Sequence, residues 1–392
     1  MSQDDRSRPS RRRTLLKILA VLALLYVFLV GIKLLGGGCS ALAAGEDNFA
    51  RRLISRTSNP FVALFVGLLV TSIIQSSGVT SSIVVALVAA KVLSVAQAVP
   101  IVMGANIGTT VTNILVSMGY VTRREQFRRA ISAAVVHDLF NLLTVAVLLP
   151  AELIFRRFFG VGFLEGAARR LTAPLARMGD VGDTECFNLL EPVLQPALGL
   201  AERVIGTPDG PGWAAGITAL VGLVFIFAAI VSFMRILQSM MLSRAESALS
   251  RVIGRSGWMG ILIGAVVAAT IHSSSVTTSL MVPLAAAGIV TVAQVFPVTL
   301  GANIGTTFTA LVASLATCPA GMTIALVHTI FNVTGIVVFY PIPAVRRIPI
   351  RLAERVGALA ERSRKLVILG AAAIFYGIPC LLIALSRGWW GS

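Results

Sequence analysis

Two short runs of hydroxyl side chains interrupt apolar stretches of this chain. The run "QSSGVTSS" covers residues 75–82, and "HSSSVTTS" covers residues 272–279. Serine is a preferred N-cap residue, and a helix N-terminus attracts anions through free N–H groups and its dipole. We therefore interpret each run as an anion site that needs no arginine, with the candidate ligands Ser76, Ser77, Gly78, Ser273, Ser274 and Ser275. Helix ends before each run would offer carbonyl oxygens to a small cation. The alternative is that these serines only bond the preceding helical turn or hold neighbouring helices together.

A second pair of motifs consists of two identical blocks, "GANIGTT", at residues 104–110 and 301–307. Two glycines and an asparagine are expected to weaken or break a helix inside an apolar span. Asn106 and Asn303 offer an amide to an anion and an oxygen to a cation. The block also adds the hydroxyls of Thr109, Thr110, Thr306 and Thr307. An alternative role for the small residues is close helix packing, which spacing alone does not separate from ligand binding.

The motif "VHDLFN" (136–141) places an ionisable residue, Asp138, well inside an apolar span. Such residues are costly in lipid and usually face a cavity or a partner. A carboxylate is a hard oxygen ligand, so we predict that Asp138 belongs to a cation site. The alternative is a structural pair with His137 or with a nearby arginine. The related motif "VHTIFN" (327–332) has Thr329 at this place, and we expect its His328 to be a packing residue.

The sequence favours transport over catalysis. It contains serine, histidine and aspartate, but no GxSxG turn, HExxH motif or Gly-rich nucleotide loop. The hydroxyl runs come in pairs, which suits a transport site and is not needed by a nucleophile. We therefore predict no enzyme activity and no catalytic residues.

Composition indicates an integral membrane protein. The chain has 392 residues, of which 56% are hydrophobic and 13% charged, whereas a soluble protein carries about 25% charged residues. Segments of about 20 apolar residues predict spanning helices and not a barrel. We expect an all-α protein with seven spans, at residues 15–36, 96–118, 127–153, 213–239, 294–316, 321–342 and 366–386.

The formal net charge of +16 fits this class. Most Lys and Arg residues flank apolar segments, as expected from the positive-inside rule, so no nucleic-acid partner is predicted. The four cysteines have no metal-ligand spacing. A disulfide between Cys186 and another non-cytoplasmic cysteine is left open.

Two further apolar stretches, 60–92 and 257–290, are too long for one crossing, and each is interrupted by a hydroxyl run. Each half has about 15 residues, which is too short to cross the bilayer. This pattern is typical of a re-entrant hairpin, in which two half-helices meet at a tip near mid-membrane.

The chain also contains an internal repeat. With an offset of 197 (272 minus 75), residues 96–112 align with 293–309 without a gap. The basic segments 6–17 and 122–129 put the N-terminus in the cytoplasm and make the two hairpins enter from opposite faces. The sequence therefore predicts an inverted-topology repeat whose hairpin tips meet at the centre.

These assignments divide the chain into consecutive segments. They are a cytoplasmic basic tail (1–14), repeat 1 (15–155), an extracytoplasmic loop (156–212), repeat 2 (213–343), a basic cytoplasmic loop (344–365) and a final span (366–392).

The hairpin tips, the two "GANIGTT" blocks, "VHDLFN" and "FNVTGIVVFYPIP" (331–343) resemble the type II sodium-dependent phosphate cotransporter family, in a bacterial member. The resemblance implies sodium-driven uptake of inorganic phosphate by alternating access across the plasma (inner) membrane. It implies that both tips hold phosphate and sodium, with Gln75 and His272 standing at the first position of the two motifs. His272 departs from the family glutamine. Asp138 is implied to bind an additional sodium ion, and Asn141 falls at a place linked to sodium, as does its counterpart Asn332.

The implied partners are inorganic phosphate, sodium as co-substrate and the lipid bilayer, with no cofactor. The sodium-site set consists of Gln75, His272, Thr109, Thr110, Asp138, Asn141, Thr306, Thr307 and Asn332. Two other functions remain open: a transporter of the same fold for another anion or driven by protons, and a passive anion channel. Stoichiometry and oligomeric state are also open, with a homodimer as one candidate.

Overall fold

The computed structural model describes residues 11–44, 58–178, 190–208, 212–252 and 256–386. All regular structure in these ranges is helical. The helices in chain order are α1 (Arg11–Ala44), α2 (Pro60–Ile74), α3 (Ser77–Ala89), α4 (Val95–Ile107), α5 (Val111–Met118), α6 (Arg124–Phe159), α7 (Phe163–Met178), α8 (Glu191–Ile205), α9 (Gly212–Val252), α10 (Gly257–Ile271), α11 (Ser274–Ser279), α12 (Met281–Ala286), α13 (Val292–Ser314), α14 (Pro319–Phe339), α15 (Pro343–Arg362), α16 (Arg364–Ala372) and α17 (Ile378–Leu385).

Seven helical segments of the described residues are long and apolar enough to cross a membrane. They are Thr14–Ala44, Val95–Met118, Arg124–Phe159, Gly212–Leu249, Val292–Ser314, Pro319–Phe339 and Arg364–Leu385. The predicted all-α class and the seven predicted spans are confirmed, and the chain is a multi-pass membrane protein. Several helices continue beyond the predicted span, because the flanking polar residues are good helix formers.

The first long apolar stretch forms two shorter helices, α2 and α3, and the second forms three, α10, α11 and α12. α2 and α3 lie on either side of Gln75, while α10 and α11 lie on either side of His272. α2 and α10 have 15 residues each. A 15-residue helix is about 22 Å long, which is less than the bilayer's hydrocarbon thickness of about 30 Å.

The helices α4 and α13, which follow the two interrupted apolar stretches, begin alike. In α4 the backbone N–H of Ser94 donates to Oε1 of Gln97 at 3.0 Å, and before α13 Thr291 and Gln294 form the same bond at 2.9 Å. These capping boxes stand at positions related by the offset of 197. They supply hydrogen-bond acceptors to backbone N–H groups that would otherwise be unpaired at these helix N-termini.

Glycines of the repeated block make close packing possible between α4 and α2 and between α13 and α10. A side chain at Gly104 would overlap the backbone oxygen of Leu64, and one at the equivalent Gly301 would overlap that of Ile261. The packing role left open by the sequence is therefore confirmed for these glycines. The first block breaks its helix into a 3₁₀ turn at Gly108–Thr110, as expected. In the second block the helix is continuous, so the prediction of a break is wrong there, because α13 keeps its backbone bonds while packing as closely.

The first helices of the two repeats, α1 and α9, pack together through small residues. A side chain at Gly38 would come within 2.7 Å of the backbone oxygen of Ala215, and one at Gly222 would come within 2.8 Å of that of Gly31. Residue numbers rise along one helix as they fall along the other, so the two helices run antiparallel. Close backbone approach of this kind is how membrane helices associate without a hydrophobic driving force.

Two segments expected as loops contain helices. Residues 344–365 fall mostly in α15, and the segment 156–212 contains α7 and α8. Both helices of the second segment are amphipathic. The hydropathy averaged over such a segment is polar, and the average hides the apolar face of each helix. Cys318 is disulfide-bonded, whereas Cys39 and Cys380 are free thiols. Cys186 lies outside the described residues.

Candidate functional site

The two tips have the same unusual backbone. Gln75 (φ 64°) and His272 (φ 58°) are left-handed residues that are not glycine, which is uncommon and marks a locally constrained site. The next residue in each run caps the following helix. Ser76 Oγ accepts from Val79 N at 3.3 Å, and Ser273 Oγ accepts from Val276 N at 3.2 Å. The predicted N-caps are therefore confirmed at these two serines.

The residues at the tips are held by equivalent threonines. Thr112 Oγ1 donates to Gln75 Oε1 at 2.7 Å, and His272 Nδ1 lies 3.1 Å from Thr309 Oγ1. The His272 ring also packs edge-on against Phe233, with centroids 4.8 Å apart. These threonines were missed as functional candidates. Their signal was the recurrence of a threonine at the end of the repeated segment 96–112.

Ser77 and Ser274 occupy equivalent places, one residue beyond the caps, and both are buried. Neither hydroxyl makes a hydrogen bond to another described residue, whereas Ser275 Oγ donates to Thr109 O at 3.3 Å. Two buried residues at the tips therefore have hydroxyls that bond no other described residue and are available to a ligand. The sequence does not show which of the neighbouring serines makes hydrogen bonds within the protein and which does not.

Each tip contacts the "GANIGTT" block of the other half. Ser275 of the second tip bonds Thr109 of the first block. At the equivalent place in the first tip, a side chain on Gly78 would lie 3.1 Å from Thr309 Cβ and 3.5 Å from Thr306 Cγ2. The first tip therefore packs closely against the second half, where a serine like Ser275 would be tightly placed.

A buried polar network crosses between the halves with the same symmetry. His137 Nε2 is hydrogen-bonded to Asn303 Oδ1, and His328 Nε2 lies 3.2 Å from Asn106 Oδ1. All four side chains are buried. His137 therefore pairs with the other half and not with Asp138. His328 packs in the core with one bonded ring nitrogen, but its Nδ1 and that of His137 are buried without a hydrogen-bond partner in the described part of the chain.

The asparagines of the third motif complete this network. Asn141 Nδ2 donates to the backbone oxygen of Asn106 at 2.8 Å, and the equivalent Asn332 Nδ2 donates to that of Asn303 at 3.1 Å. These bonds join α6 to α4 and α14 to α13 at the "GANIGTT" blocks. The network therefore joins all four helices that carry the repeated motifs.

The network is asymmetric in one bond. Asn303 Nδ2 donates to Asn141 Oδ1 at 2.8 Å, whereas Asn106 Nδ2 turns to Val102 O at 3.1 Å. As a result, Asn332 Oδ1 is buried without a hydrogen-bond partner in the described part of the chain. Asp138 Oδ1 is a second such oxygen. Unpaired buried oxygens are costly unless something absent from the protein itself, such as a cation, satisfies them.

The threonines of both blocks donate to their own helices. Thr109 bonds Ala105 O and Thr306 bonds Ala302 O, each at 3.1 Å. Thr110 and Thr307 likewise bond backbone oxygens of the preceding turn. A hydroxyl that donates its proton in this way still has oxygen lone pairs for a cation. These hydroxyls can therefore act as cation ligands but not as donors to an anion.

The family model described as Na+/Pi-cotransporter matches residues 27–166 and 224–381. The chain belongs to this family. Each matched segment contains one hydroxyl run and one "GANIGTT" block, so the family match follows the internal repeat. Membership makes the chain a transporter and not an enzyme.

Its relatives include mammalian proteins. Sodium-dependent phosphate transport protein 2A of rat is 30% identical, over 100% of this chain and 72% of the relative. The mouse 2A protein is 32% identical over the same shares. Human sodium-dependent phosphate transport protein 2B is 29% identical, over 95% of this chain and 66% of the relative. No solved structure matches this chain.

Proposed function

We propose that this cotransporter couples sodium entry to the uptake of inorganic phosphate. The rat and mouse relatives that align with the whole chain are named sodium-dependent phosphate transport proteins. The observation that carries the proposal at the level of residues is that the buried residues Ser77 and Ser274, at equivalent tips, have hydroxyls that bond no other described residue. Phosphate oxygens accept hydrogen bonds, so each hydroxyl gains a partner when phosphate binds.

The proposed architecture is an inverted-topology repeat with two re-entrant hairpins. The N-terminus is cytoplasmic and the hairpin tips meet near mid-membrane in the plasma (inner) membrane. Reciprocal contacts support this arrangement, since His137 meets Asn303 while its counterpart His328 meets Asn106. A two-fold axis between the halves produces such pairs in reciprocal form. Alternating access then follows from movement of one half against the other.

Phosphate lies between the tips, next to the N-terminus of α3. The hydroxyls of Ser77 and Ser274 donate to it, and Gly78 allows the backbone to approach. Ser76 and Ser273 act indirectly, because their oxygens cap the helices that present the binding hydroxyls. Asn106 and Asn303 hold the surrounding helices together, since their amides already donate within the protein.

Sodium binds at neutral oxygens around this centre and at the carboxylate of Asp138. Asp138 Oδ1 and Asn332 Oδ1 are the two unsatisfied buried oxygens on the helices of the network. Sodium prefers hard oxygen ligands and supplies positive charge that the tips lack. The block threonines add neutral oxygens. In this way sodium and phosphate each reduce the desolvation cost of the other, which is the physical basis of coupling.

The proposal is tested by uptake of labelled phosphate into proteoliposomes, with sodium and pH varied independently. Accumulation should require an inward sodium gradient. Ser274→Ala should lower uptake strongly, whereas Ser279→Ala is the matched control, because that hydroxyl of the same hairpin bonds Val276 O in its own helix. Phosphate accumulation without sodium, or normal uptake by Ser274→Ala, would contradict the proposal.

The driving ion is tested separately at the second tip. His272 packs against Phe233 and Phe308 and bonds Thr309, so its role is to hold the tip. We therefore expect His272→Gln to retain sodium-driven uptake. Loss of sodium dependence, or a transport rate that follows a proton gradient, would instead favour proton coupling.

A further inference from the structure

The helix α15, which lies between the sixth and seventh spans, packs on one end of α6. A side chain at Gly357 would lie 2.7 Å from the backbone oxygen of Arg128 and would overlap Ser132 Oγ. The neighbouring residues Ala353 and Ala360 are fully buried on the same face. α15 therefore packs at one end of the bundle, the end at which α6 begins with Arg124.

The opposite face of α15 carries a stripe of arginines. At 100° per residue, its members fall within an arc of roughly 80°. All of them are exposed, and none has a carboxylate partner among the residues that the structure describes. The arginine stripe consists of Arg347, Arg351, Arg355 and Arg362. The nearby carboxylate of Glu361 instead pairs with Arg128 of α6, at 3.3 Å.

An apolar flank separates the arginine stripe from the buried face. Ile348 is 43% exposed and Leu359 is 41% exposed, with Leu352 partly buried between them. A helix with one apolar and one basic side lies in the plane of a membrane surface, with its apolar side toward the acyl chains. The positive-inside rule explains the number of arginines here but not their alignment beside an apolar flank.

Aromatic residues indicate the depth at which α15 begins. Trp258 at the start of α10 is 58% exposed and lies edge-on to Tyr340, with ring centroids 4.9 Å apart. Arg346, in the first turn of α15, stands over the Tyr340 ring at 5.1 Å. Trp and Tyr gather at the headgroup level of membranes. The beginning of α15 therefore lies at the membrane surface, beside the base of the second hairpin.

We propose that the arginine stripe of α15 binds the headgroups of anionic phospholipids. A guanidinium matches a phosphodiester with paired N–H donors, and it keeps its charge at any physiological pH. A soluble anionic partner would cover the arginines but leave Ile348 and Leu359 in water, whereas a lipid satisfies both sides of the helix. Because Arg346 and Tyr340 connect α15 to the start of α10, the bound lipids also hold the base of the second hairpin.

The test is native mass spectrometry of the full chain, titrated with phosphatidylglycerol or with phosphatidylcholine of the same acyl chains. The wild type should bind phosphatidylglycerol preferentially. Arg347→Gln, Arg351→Gln and Arg355→Gln combined should weaken that binding, by roughly fivefold per arginine and about 100-fold in all. The phosphatidylcholine affinity should not change. The corresponding triple lysine variant should retain most of the preference.

Two controls separate this site from net charge and from misfolding. Combined glutamine substitution of Arg157, Arg170 and Arg203 removes three exposed arginines from other helices and should leave phosphatidylglycerol binding unchanged. If the triple variant of the stripe does not fold, Arg351→Gln alone should still give the fivefold loss. Unaltered binding by the stripe variants, an equal loss in the control, or displacement of the lipid by inorganic phosphate alone would overturn the proposal.

Discussion

The single asymmetric bond in the buried network yields a quantitative prediction. Asn303 and Asn106 stand at equivalent positions and are both buried, so replacing either one by alanine removes the same atoms from similar surroundings. Asn303→Ala leaves two groups without partners, His137 Nε2 and Asn141 Oδ1. Asn106→Ala leaves only His328 Nε2, because the other bond of Asn106 goes to a carbonyl within its own helix.

The expected magnitudes follow from these unpaired groups. Each buried polar group left without a partner costs about 1–3 kcal/mol of unfolding free energy. Asn303→Ala should therefore cost roughly 2–6 kcal/mol and Asn106→Ala roughly 1–3 kcal/mol. Hydrogen bonds between helices of membrane proteins contribute less than this, with an average coupling energy of about 0.6 kcal/mol in double-mutant cycles. We accordingly expect Asn303→Ala to be the more destabilising by roughly 0.6–3 kcal/mol.

The assay is reversible unfolding of the full chain in mixed micelles, arranged as two double-mutant cycles. The cycle of Asn303→Ala with Asn141→Ala should give a coupling energy of about 0.6–1.7 kcal/mol, the range measured for hydrogen bonds between membrane helices. The equivalent cycle of Asn106→Ala with Asn332→Ala should give a clearly smaller value, since those two side chains are not bonded to each other. Each cycle is the control for the other.

Equal coupling energies in the two cycles would refute this reasoning, because they would mean that the bond between Asn303 and Asn141 has no stabilising effect of its own. A larger loss of stability for Asn106→Ala than for Asn303→Ala would refute it as well.

Three further predictions concern other parts of the bundle. Asp138→Asn should lower the number of sodium ions taken up per phosphate, measured with both labels in the same vesicles; an unchanged ratio would exclude Asp138 as a sodium ligand. Glu152→Gln should lower stability by about 1.5–3 kcal/mol, because this buried carboxylate accepts charge-assisted hydrogen bonds, and an unchanged melting temperature would contradict this. Gly301→Ala should greatly reduce the yield of folded protein by collision with the backbone of Ile261. Gly216→Ala, with free space around it, is the control, and equal yields for these two variants would show that the close approach is dispensable.

Much of this protein could be predicted from linear patterns. Apolar length alone indicates seven spans and two interrupted stretches, because the bilayer sets the length of a crossing helix. The repeat at an offset of 197 pairs Gln75 with His272 and Asn106 with Asn303 before any coordinate is known. Cap chemistry also identifies the tip serines as helix starts, since N-capping depends only on residues within one turn.

Other features depend on which helices come into contact. Residue spacing does not show that Ser76 caps the helix whereas the hydroxyl of Ser77 bonds no other described residue. These roles depend on the exact residue at which the helix begins, and the two serines are only one residue apart. The basic segment 344–365 has a polar mean hydropathy, which predicts a loop. Its helix becomes evident only from the packing of its small residues on α6.

The amino-acid sequence by itself therefore determined the class, the number of spans, the repeat and the identity of the tip residues. Tertiary structure alone decided that His137 pairs with Asn303 of the other half, and that Asn332 is left with an unsatisfied oxygen. The physical reason is that membrane span and capping act over a few neighbouring residues. A buried side chain's partner is selected from every helix that packs around it, and two copies of one motif can then make different bonds.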